Sequence, residues 1–182
     1  MIDELPYEEL SAGELLRRTG ISKGSLYHHF EDYSDVLEAA YLRRFFINIE
    51  TAVASMEYAM DSAATKDELF AHMRELTQAS QDRARAPFRF ERARLLGKAE
   101  RNDRFRVALG AMQQRQTDAF AAAISRAQEK GWVRTDIQAR TIAVFIQAYS
   151  LGRIIDDITE NPMDDEDWNN MINLIAEGTF GA

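Results

Sequence analysis

Apolar positions recur along this chain with the spacing of α-helices. Between Asn102 and Lys130 they fall three or four residues apart, on one stripe of a long helix that Gly131 would close. No segment alternates apolar and polar residues over several positions, and the sequence lacks the Asn-Gly and Asp-Gly pairs of β-hairpins. The pattern therefore predicts an all-α fold, with helices near 12–18, 22–29, 34–59, 66–81, 87–98, 102–129, 136–156 and 164–179.

Three segments match the capping box, in which a Ser or Thr side chain and a Glu or Gln three residues later satisfy the first amides of a helix. They begin at Ser11, Thr65 and Thr135, and each precedes a run of periodic apolar residues. The matches predict that helices begin at these three positions.

The composition excludes several classes of protein but leaves the predicted helical fold unchanged. Hydrophobic residues make up 46% and charged residues 29% of the 182 residues, which is typical of a globular protein. No apolar run approaches the length of a membrane span and no signal peptide opens the chain, so we expect a cytoplasmic protein without a membrane partner. The chain has no cysteine, which excludes disulfides and zinc–thiolate sites.

The charge is unevenly distributed. The net charge of −8 argues against a nucleic-acid binder, and residues 1–44 contribute nine acids and five bases, a net charge of −4. Residues 83–106 hold nine bases and three acids. This basic stretch is open to three interpretations: nucleic-acid binding, a solvated helix face paired with acids, or an arginine such as Arg89 or Arg92 that meets an acidic effector.

The acidic stretch 156–167 holds seven acids and no base. Its segment 164–167 is either a cation site or, with more weight, a negatively charged first helical turn. The neighbours His28 and His29 point about 100° apart on a helix, so we expect no metal site there. No cofactor is expected either.

Two short helices separated by residues 19–22 stand near the start of the chain. Gly20 allows the positive φ of a sharp turn, and Ser22 can cap the following helix. This is the layout of a helix-turn-helix, with a solvated helical hairpin as the alternative. The expected packing joins Leu15, Leu16 and Ile21 to Leu26 and Phe30.

The string GISKGSLYHHF at residues 20–30, followed by Asp32 and the run VLEAA at 36–40, resembles the signature of TetR-type transcriptional repressors. The resemblance covers residues 11–45. It implies a helix-turn-helix DNA-binding lobe at 1–45, a larger helical ligand-binding and dimerisation domain at 46–182, and a palindromic double-stranded DNA operator.

The resemblance also assigns the DNA contacts. Hydroxyl groups and amides at a helix N-terminus suit phosphate oxygens, and Lys23 can serve a phosphate or a guanine edge. Tyr33 stands where the family usually has a lysine. The expected DNA-binding residues are Ser11, Ser22, Lys23, Gly24, Ser25, Tyr27, His28 and Tyr33.

A further helix usually precedes the capping serine in this family, whereas ten residues precede Ser11 here. The first family helix is therefore expected to be missing or truncated. Together with the acidic lobe, this keeps a second hypothesis open, in which the chain is a TetR-like ligand-sensing or interaction protein that has lost DNA binding.

The family pattern further implies a homodimer built by the last two long helices, and a small-molecule effector bound among the middle helices. The expected dimer interface is Ala148, Gly152, Ile155, Trp168, Met171, Ile172 and Ile175. The expected effector pocket is Phe70, Met73, Phe88, Arg92, Met112, Gln116, Phe120, Phe145 and Tyr149.

An apolar effector suits such a pocket. Gln116 falls on the apolar stripe of its helix and is either a core hydrogen-bonding group or a ligand contact. The sequence holds no Ser-His-Asp arrangement with supporting context, no P-loop and no GxGxxG motif, so we do not expect an enzyme. The resemblance implies instead a regulator that its effector releases from DNA.

Overall fold

A computed structural model describes residues 11–181 of the chain. The chain divides into two compact units, with the boundary between Ile47 and Asn48. The prediction of a missing first helix falls on residues before Ser11, outside the described residues.

The described residues form helices throughout, which confirms the prediction of an all-α fold. A 3₁₀ turn at Arg83–Arg85 precedes the fifth helix, and a π-helical turn at Ala176–Phe180 follows the last one. Within residues 11–181 the only β-type pairing is an isolated antiparallel bridge between Val133 and Gly181. The helices are α1 (Ala12–Thr19), α2 (Lys23–His29), α3 (Tyr33–Ser62), α4 (Lys66–Gln81), α5 (Ala86–Arg101), α6 (Asp103–Glu129), α7 (Ala139–Gly152), α8 (Ile154–Asp157) and α9 (Asp165–Ile175).

Local capping bonds set the helices of the N-terminal unit. The Glu14 amide donates to Ser11 Oγ over 3.2 Å at the start of α1, and the Ser25 amide donates to Ser22 Oγ over 3.0 Å at the start of α2. Gly20 ends α1 with a φ of +70°, in the left-handed region that favours glycine. The sharp turn of the helix-turn-helix is therefore encoded by residues whose roles the sequence predicts.

The packing inside this unit differs from the prediction at one position. Leu26 is the buried residue of α2 and Leu15, Leu16 and Phe30 are half-buried, but Ile21 is 41% exposed. Ile21 lies in the turn between the two helices, where its side chain belongs to neither helical face.

The C-terminal unit is built around α6. This helix packs against α5 and α7, while α4 packs against α9 and α7. Gly131 has a φ of +72° directly after α6, in keeping with its predicted role in ending that helix. The apolar stripe predicted for α6 supplies its core, which includes Phe105, Leu109, Phe120, Ala123, Ile124 and Ala127.

Side-chain caps also start several helices of this unit, among them α4 and α9. The Glu68 amide donates to Thr65 Oγ1 over 3.2 Å at α4. At α9 the Asp164 carboxylate accepts the amides of Glu166 and Asp167 over 2.8 and 3.2 Å. The acidic run 164–167 therefore forms a first helical turn, where negative charge is favourable.

The predicted helix 136–156 is wrong at its start and in its continuity. The helix begins at Ala139 without a side-chain cap, so Thr135 does not start it. It stops at Gly152, and α8 begins after Arg153. Arg153 is 1% exposed, and its guanidinium binds the backbone oxygen of Gln81 and the carboxylate of Asp165, which anchors the chain at this interruption.

None of the helices within residues 11–181 has the length and apolar character needed to cross a lipid bilayer.

Candidate nucleic-acid interface and ligand cavity

The exposed face of α2 is polar and begins at the capped N-terminus of that helix. The phenol of Tyr27 is 37% exposed, and Leu26 alone among the α2 residues is buried. The face therefore offers hydroxyl, ammonium and imidazole groups to solvent rather than to the core. The expected DNA contacts that lie exposed are Ser11, Ser22, Lys23, Gly24, Ser25, Tyr27 and His28.

Gly24 has no structural need to be glycine within its own unit. A Cβ atom built on it meets only Ser22 Oγ, at the ordinary contact distance of 3.9 Å. Glycine in a helix costs about 0.5–1 kcal/mol relative to alanine. A glycine here leaves room for the close approach of another molecule to the backbone of α2.

Tyr33 differs from the other expected DNA contacts. It opens α3, its ring is half-buried and its hydroxyl oxygen is buried. The prediction that this hydroxyl reaches a DNA backbone therefore conflicts with its position, because the phenol packs inward.

The two arginines of α1 are engaged by a neighbouring acid. Arg17 binds the Glu14 carboxylate through two nitrogen atoms, over 2.7 and 2.6 Å, and Arg18 Nε binds it over 2.6 Å. These hydrogen bonds lower the pKa of Glu14 to about 2, so the carboxylate is ionised at neutral pH. Glu14 therefore reduces the positive potential that α1 presents to a phosphate.

No group of three or more metal-ligating side chains comes together anywhere in the described part of the chain.

A cavity lies inside the C-terminal unit, between α4, α6, α7, α9 and the π-helical turn. Its free space is about 670 Å³ when the part open to solvent is included, but only about 60 Å³ is wide enough for the centre of a water molecule. The walls are almost entirely apolar. They include Met60, Leu69, Phe70, Met73, Ile124, Val133, Ile142, Phe145, Ile146, Tyr149, Ile172, Ala176 and Phe180.

Two pairs of polar side chains lie in the cavity wall. Thr77 Oγ1 of α4 and Tyr149 Oη of α7 lie 3.2 Å apart in a hydrogen bond. Arg74 Nη1 and Glu177 Oε1 form an ion pair over 2.5 Å, with both side chains partly exposed. Burial raises the pKa of Tyr149, so the phenol keeps its proton at neutral pH.

Four of the nine residues expected at the effector pocket line this cavity: Phe70, Met73, Phe145 and Tyr149. Met112 and Phe120 lie on earlier turns of α6 than Ile124, the α6 residue in the wall. The guanidinium carbon of Arg85 lies 4.9 Å from the centroid of the Phe88 ring, and Phe88 does not line the cavity.

The expected polar contacts Arg92 and Gln116 also lie outside the cavity, because they belong to a hydrogen-bonded cluster between helices. Arg92 Nη2 donates to Gln113 over 2.9 Å, and the Gln113 amide reaches Gln116 over 3.5 Å and Gln147. Gln147 in turn donates to Thr117 over 3.1 Å. Of the two interpretations of Gln116, the geometry favours the core hydrogen bond.

Arg89, the other arginine considered for an acidic effector, is held in a buried ion pair. Its Nε and Nη2 bind the two carboxylate oxygens of Asp157 over 2.5 and 2.7 Å, and both side chains are almost fully buried. The nine bases of residues 83–106 therefore include one that joins α5 to α8 rather than facing solvent.

The helices expected to form a dimer expose apolar side chains. On α7 and α8 these are Val144, Ala148 and Ile155, the last 75% exposed; on α9 they are Met171 and Leu174.

The remaining expected interface residues divide into two groups. Gly152 and Ile175 are half-buried, and Trp168 is half-buried with its Nε1 donating to Gln81 over 2.9 Å. The prediction that Ile172 lies in a dimer interface conflicts with the structure. Ile172 is 4% exposed and lines the cavity, because it faces α4 within its own unit.

The C-terminal segment Ala176–Phe180 contributes Ala176, Glu177 and Phe180 to the cavity wall, and sequence reasoning missed all three. Phe180 meets the ring of Phe145, with 5.6 Å between centroids, and its backbone oxygen accepts the amide of Arg134 over 3.0 Å. No periodic signal distinguishes these five residues, since they follow the last apolar stripe of α9.

Comparison with known proteins supports the resemblance of the N-terminal residues to TetR-type regulators. Residues 1–40 match the family described as bacterial regulatory proteins of the tetR family. A comparison with curated protein sequences gives no significant match.

Several solved structures share the fold. A protein of Saccharomonospora viridis described as a transcriptional regulator, in complex with choline, is 19% identical with a TM-score of 0.69, over 100% of this chain and 92% of that one. A protein of Mesorhizobium loti described as a TetR-family regulator is 15% identical with a TM-score of 0.70, over 97% and 89%. The ketosteroid transcriptional regulator KstR2 of Mycobacterium tuberculosis is 20% identical with a TM-score of 0.59, over 96% and 86%.

At these identities the likeness shows the fold. The matched family and these structures are described as transcriptional regulators rather than enzymes, in agreement with the sequence prediction. Residues 1–40 thus carry the TetR-type signature, and the chain as a whole has the fold of TetR-type transcriptional regulators.

Proposed function

We propose that this chain is a homodimeric DNA-binding regulator, a repressor that a small-molecule effector releases from a palindromic operator. Residues 1–45 would be its DNA-binding lobe and residues 46–182 its ligand-binding and dimerisation domain. The observation that carries the proposal is the exposed polar face of α2, on which the side chains of Ser22, Lys23, Ser25, Tyr27 and His28 are exposed while Leu26 is buried.

The proposed DNA contacts follow from the chemistry of this face. Ser22 and Ser25 are exposed at the N-terminus of α2, and their hydroxyl groups can donate to phosphate oxygens while Ser22 Oγ accepts the Ser25 amide. Lys23 adds a positive charge, and Gly24 allows backbone approach. Tyr27 and His28 would reach the base edges in the major groove.

The proposed dimer rests on apolar side chains that the protomer leaves exposed. Val144 and Ala148 lie one turn apart on α7, and Met171 and Leu174 lie one turn apart on α9. Two such stripes together form an apolar surface of the kind that protein interfaces cover. A second protomer placed against them would complete a four-helix bundle.

The proposed release depends on α7, which has two functional faces. Tyr149 points to the cavity and bonds to α4, whereas Val144 and Ala148 point outward. An effector that moves α7 against α4 would change the geometry of the dimer. Such an effector shifts the population toward a state whose two reading helices no longer match successive major grooves.

The test is a selection for binding from random duplex DNA with the purified protein. We expect a palindrome whose half-sites lie about 34–36 Å apart, one helical turn of DNA. The variant Gly24→Leu should lose this enrichment, because its side chain would occupy the space of the DNA backbone. Gly97→Leu is the matched control, since a Cβ at either glycine meets nothing closer than 3.9 Å in the protomer.

A second candidate function is ligand sensing without DNA binding. The net charge of −4 over residues 1–44 and the engagement of Arg17 and Arg18 by Glu14 favour it. Recovery of random sequences by the folded protein would support this candidate and contradict the proposed regulator.

A further inference from the structure

The cavity of the C-terminal unit is lined by apolar side chains and by charges that already have partners. Arg74 and Glu177 neutralise each other over 2.5 Å at its wall. Arg89, the arginine considered above for an acidic effector, does not line the cavity and is bound to Asp157. A charged ligand would therefore lose its hydration without gaining a free counter-charge, which is costly in an apolar site.

Two uncharged hydrogen-bonding positions interrupt the apolar wall, the hydroxyl pair of Thr77 and Tyr149 and the side chain of Asn173. The hydroxyl groups of Thr77 and Tyr149 are 3.2 Å apart, and burial keeps the phenol protonated. One of the two hydroxyl protons lies between the oxygen atoms, and Ser150 is a further hydrogen-bonding partner of Tyr149, so Thr77 is the hydroxyl group that can donate to an oxygen atom of a ligand.

The rest of the wall determines the shape of the ligand. About 60 Å³ of the cavity admits the centre of a water molecule, which is room for a few waters, so the empty space is small. Met60, Met73 and aromatic rings on α4 and α7 line it, and thioether side chains adapt readily to an inserted chain. A slender apolar molecule fits such a small cavity better than a wide rigid molecule does.

The wall at the C-terminal side is held by a few specific contacts. Phe180 accepts a backbone hydrogen bond from Arg134 over 3.0 Å, and Thr179 accepts one from the Arg134 guanidinium over 3.2 Å. The partly exposed ion pair between Arg74 and Glu177 joins the same segment to α4. Because exposed ion pairs contribute little stability, the pair of Arg74 and Glu177 adds little to the contacts that hold this segment.

We propose that the cavity binds an uncharged, slender and mainly apolar molecule that presents one hydrogen-bond-accepting oxygen to the hydroxyl pair of Thr77 and Tyr149. The molecule enters past the segment Ala176–Phe180, beside the ion pair of Arg74 and Glu177. This inference rests on the proposed function only in naming the effector class, since binding to the cavity itself requires no DNA.

The experiment is a displacement titration with the full chain. The neutral, rod-shaped fluorophore diphenylhexatriene reports occupation of an apolar site, and three competitors share one alkyl chain: octanol, octanoate and octyltrimethylammonium. We expect octanol to displace the fluorophore at a concentration about tenfold lower than either charged competitor, because neither charge finds a counter-charge in the cavity.

The variant Tyr149→Phe tests the hydroxyl pair. It should weaken octanol about fivefold, because the Thr77 hydroxyl loses the hydrogen bond that orients it, and leave the affinity for the fluorophore unchanged. Tyr58→Phe is the matched control, because Tyr58 is exposed and lies outside the cavity. Arg74→Met should accelerate association of the fluorophore by removing the ion pair at the entrance.

Four results would overturn the proposal: tighter binding of octanoate or octyltrimethylammonium, absence of fluorophore binding by the folded chain, equal octanol affinity in Tyr149→Phe, or unchanged association in Arg74→Met. Failure of the proposed function has a different signature. In that case the selection from random duplex DNA returns no palindrome, while the ligand titration proceeds as expected.

Discussion

The two units of the chain use polar and charged residues in opposite ways. In the N-terminal unit, α2 buries Leu26 alone and leaves its serines, Lys23 and His28 on the outside. In the C-terminal unit, Arg89 and Arg153 are almost fully buried and bind specific carboxylates and carbonyl groups.

This difference explains why the sequence predicts the exposed face of α2 more directly than the walls of the cavity. A surface that contacts DNA is a short contiguous string, because one helix supplies most of it. A cavity is assembled from α4, α6, α7 and α9, and its position depends on packing between residues far apart in the sequence. The comparison can be tested by removing charges or altering surfaces in each unit.

The largest expected effect comes from the buried ion pair. Arg89→Met leaves the Asp157 carboxylate buried without its partner, which should lower the free energy of unfolding by about 3–5 kcal/mol. Denaturant unfolding measures the change. Arg115→Met is the matched control, since Arg115 pairs with Glu50 on the exposed surface and its loss should change stability little. Equal stability of Arg89→Met and the parent protein would contradict the view that the C-terminal unit depends on buried, paired arginines.

The next effect concerns the proposed dimer surface. Gly152→Leu should give monomers and weaken operator binding about a hundredfold, because each reading helix loses the effective concentration that its partner provides. Sedimentation velocity and anisotropy titration measure the two changes. A Cβ at Gly152 meets no atom within 4 Å, and the same holds for Gly110→Leu, the control on α6. A dimeric Gly152→Leu variant would refute this interface.

A smaller effect is expected for the exposed charge of α2. Lys23→Ala should weaken binding to every DNA sequence about tenfold and reduce the slope of log affinity against log salt by about one, as one phosphate contact is lost. Fluorescence anisotropy at several salt concentrations measures both. Lys130→Ala, in the C-terminal unit, serves as the control. An unchanged slope in Lys23→Ala would mean that Lys23 does not lie at a phosphate.

The smallest effect is expected for Glu14, whose replacement should raise the affinity for DNA rather than lower it. Glu14→Gln removes the charge that engages Arg17 and Arg18, so non-specific DNA affinity should rise about threefold. The pKa of Glu14 is about 2 and lies below its unfolded value, so the pairing is complete above the unfolded pKa and is lost as pH falls through about 2.

The effect of Glu14→Gln should therefore be constant from pH 6 to pH 8, and anisotropy titrations across this range measure it. Glu100→Gln, on exposed α5, is the control and should leave the affinity for a random duplex unchanged. A fall in affinity for Glu14→Gln would contradict the view that Glu14 screens the arginines.

Local sequence signals predicted the helices well. Ser11, Ser22 and Thr65 cap helices as expected, and Gly20 and Gly131 have positive φ, because these roles depend on a few neighbouring residues. The box at Thr135 failed, since α7 starts four residues later.

Signals that depend on packing were less informative. Ile172 is as apolar as an interface residue but faces the cavity, and Gln116 lies on an inward stripe but bonds within the core. The hydroxyl of Tyr33 occupies a position that the resemblance assigns to DNA, yet it is buried. Apolar periodicity shows which side chains turn inward, but it does not distinguish a core from a cavity or an interface.

Gly24 has a consequence for the order of the reading helix itself. The helix α2 has seven residues and one buried side chain, and glycine lowers its intrinsic helical stability by about 1 kcal/mol. Its amide hydrogens should consequently exchange with solvent earlier than those of α6, which buries eight residues. Contact with DNA would then supply the missing order, so that protection of α2 against hydrogen exchange becomes a direct signature of operator binding.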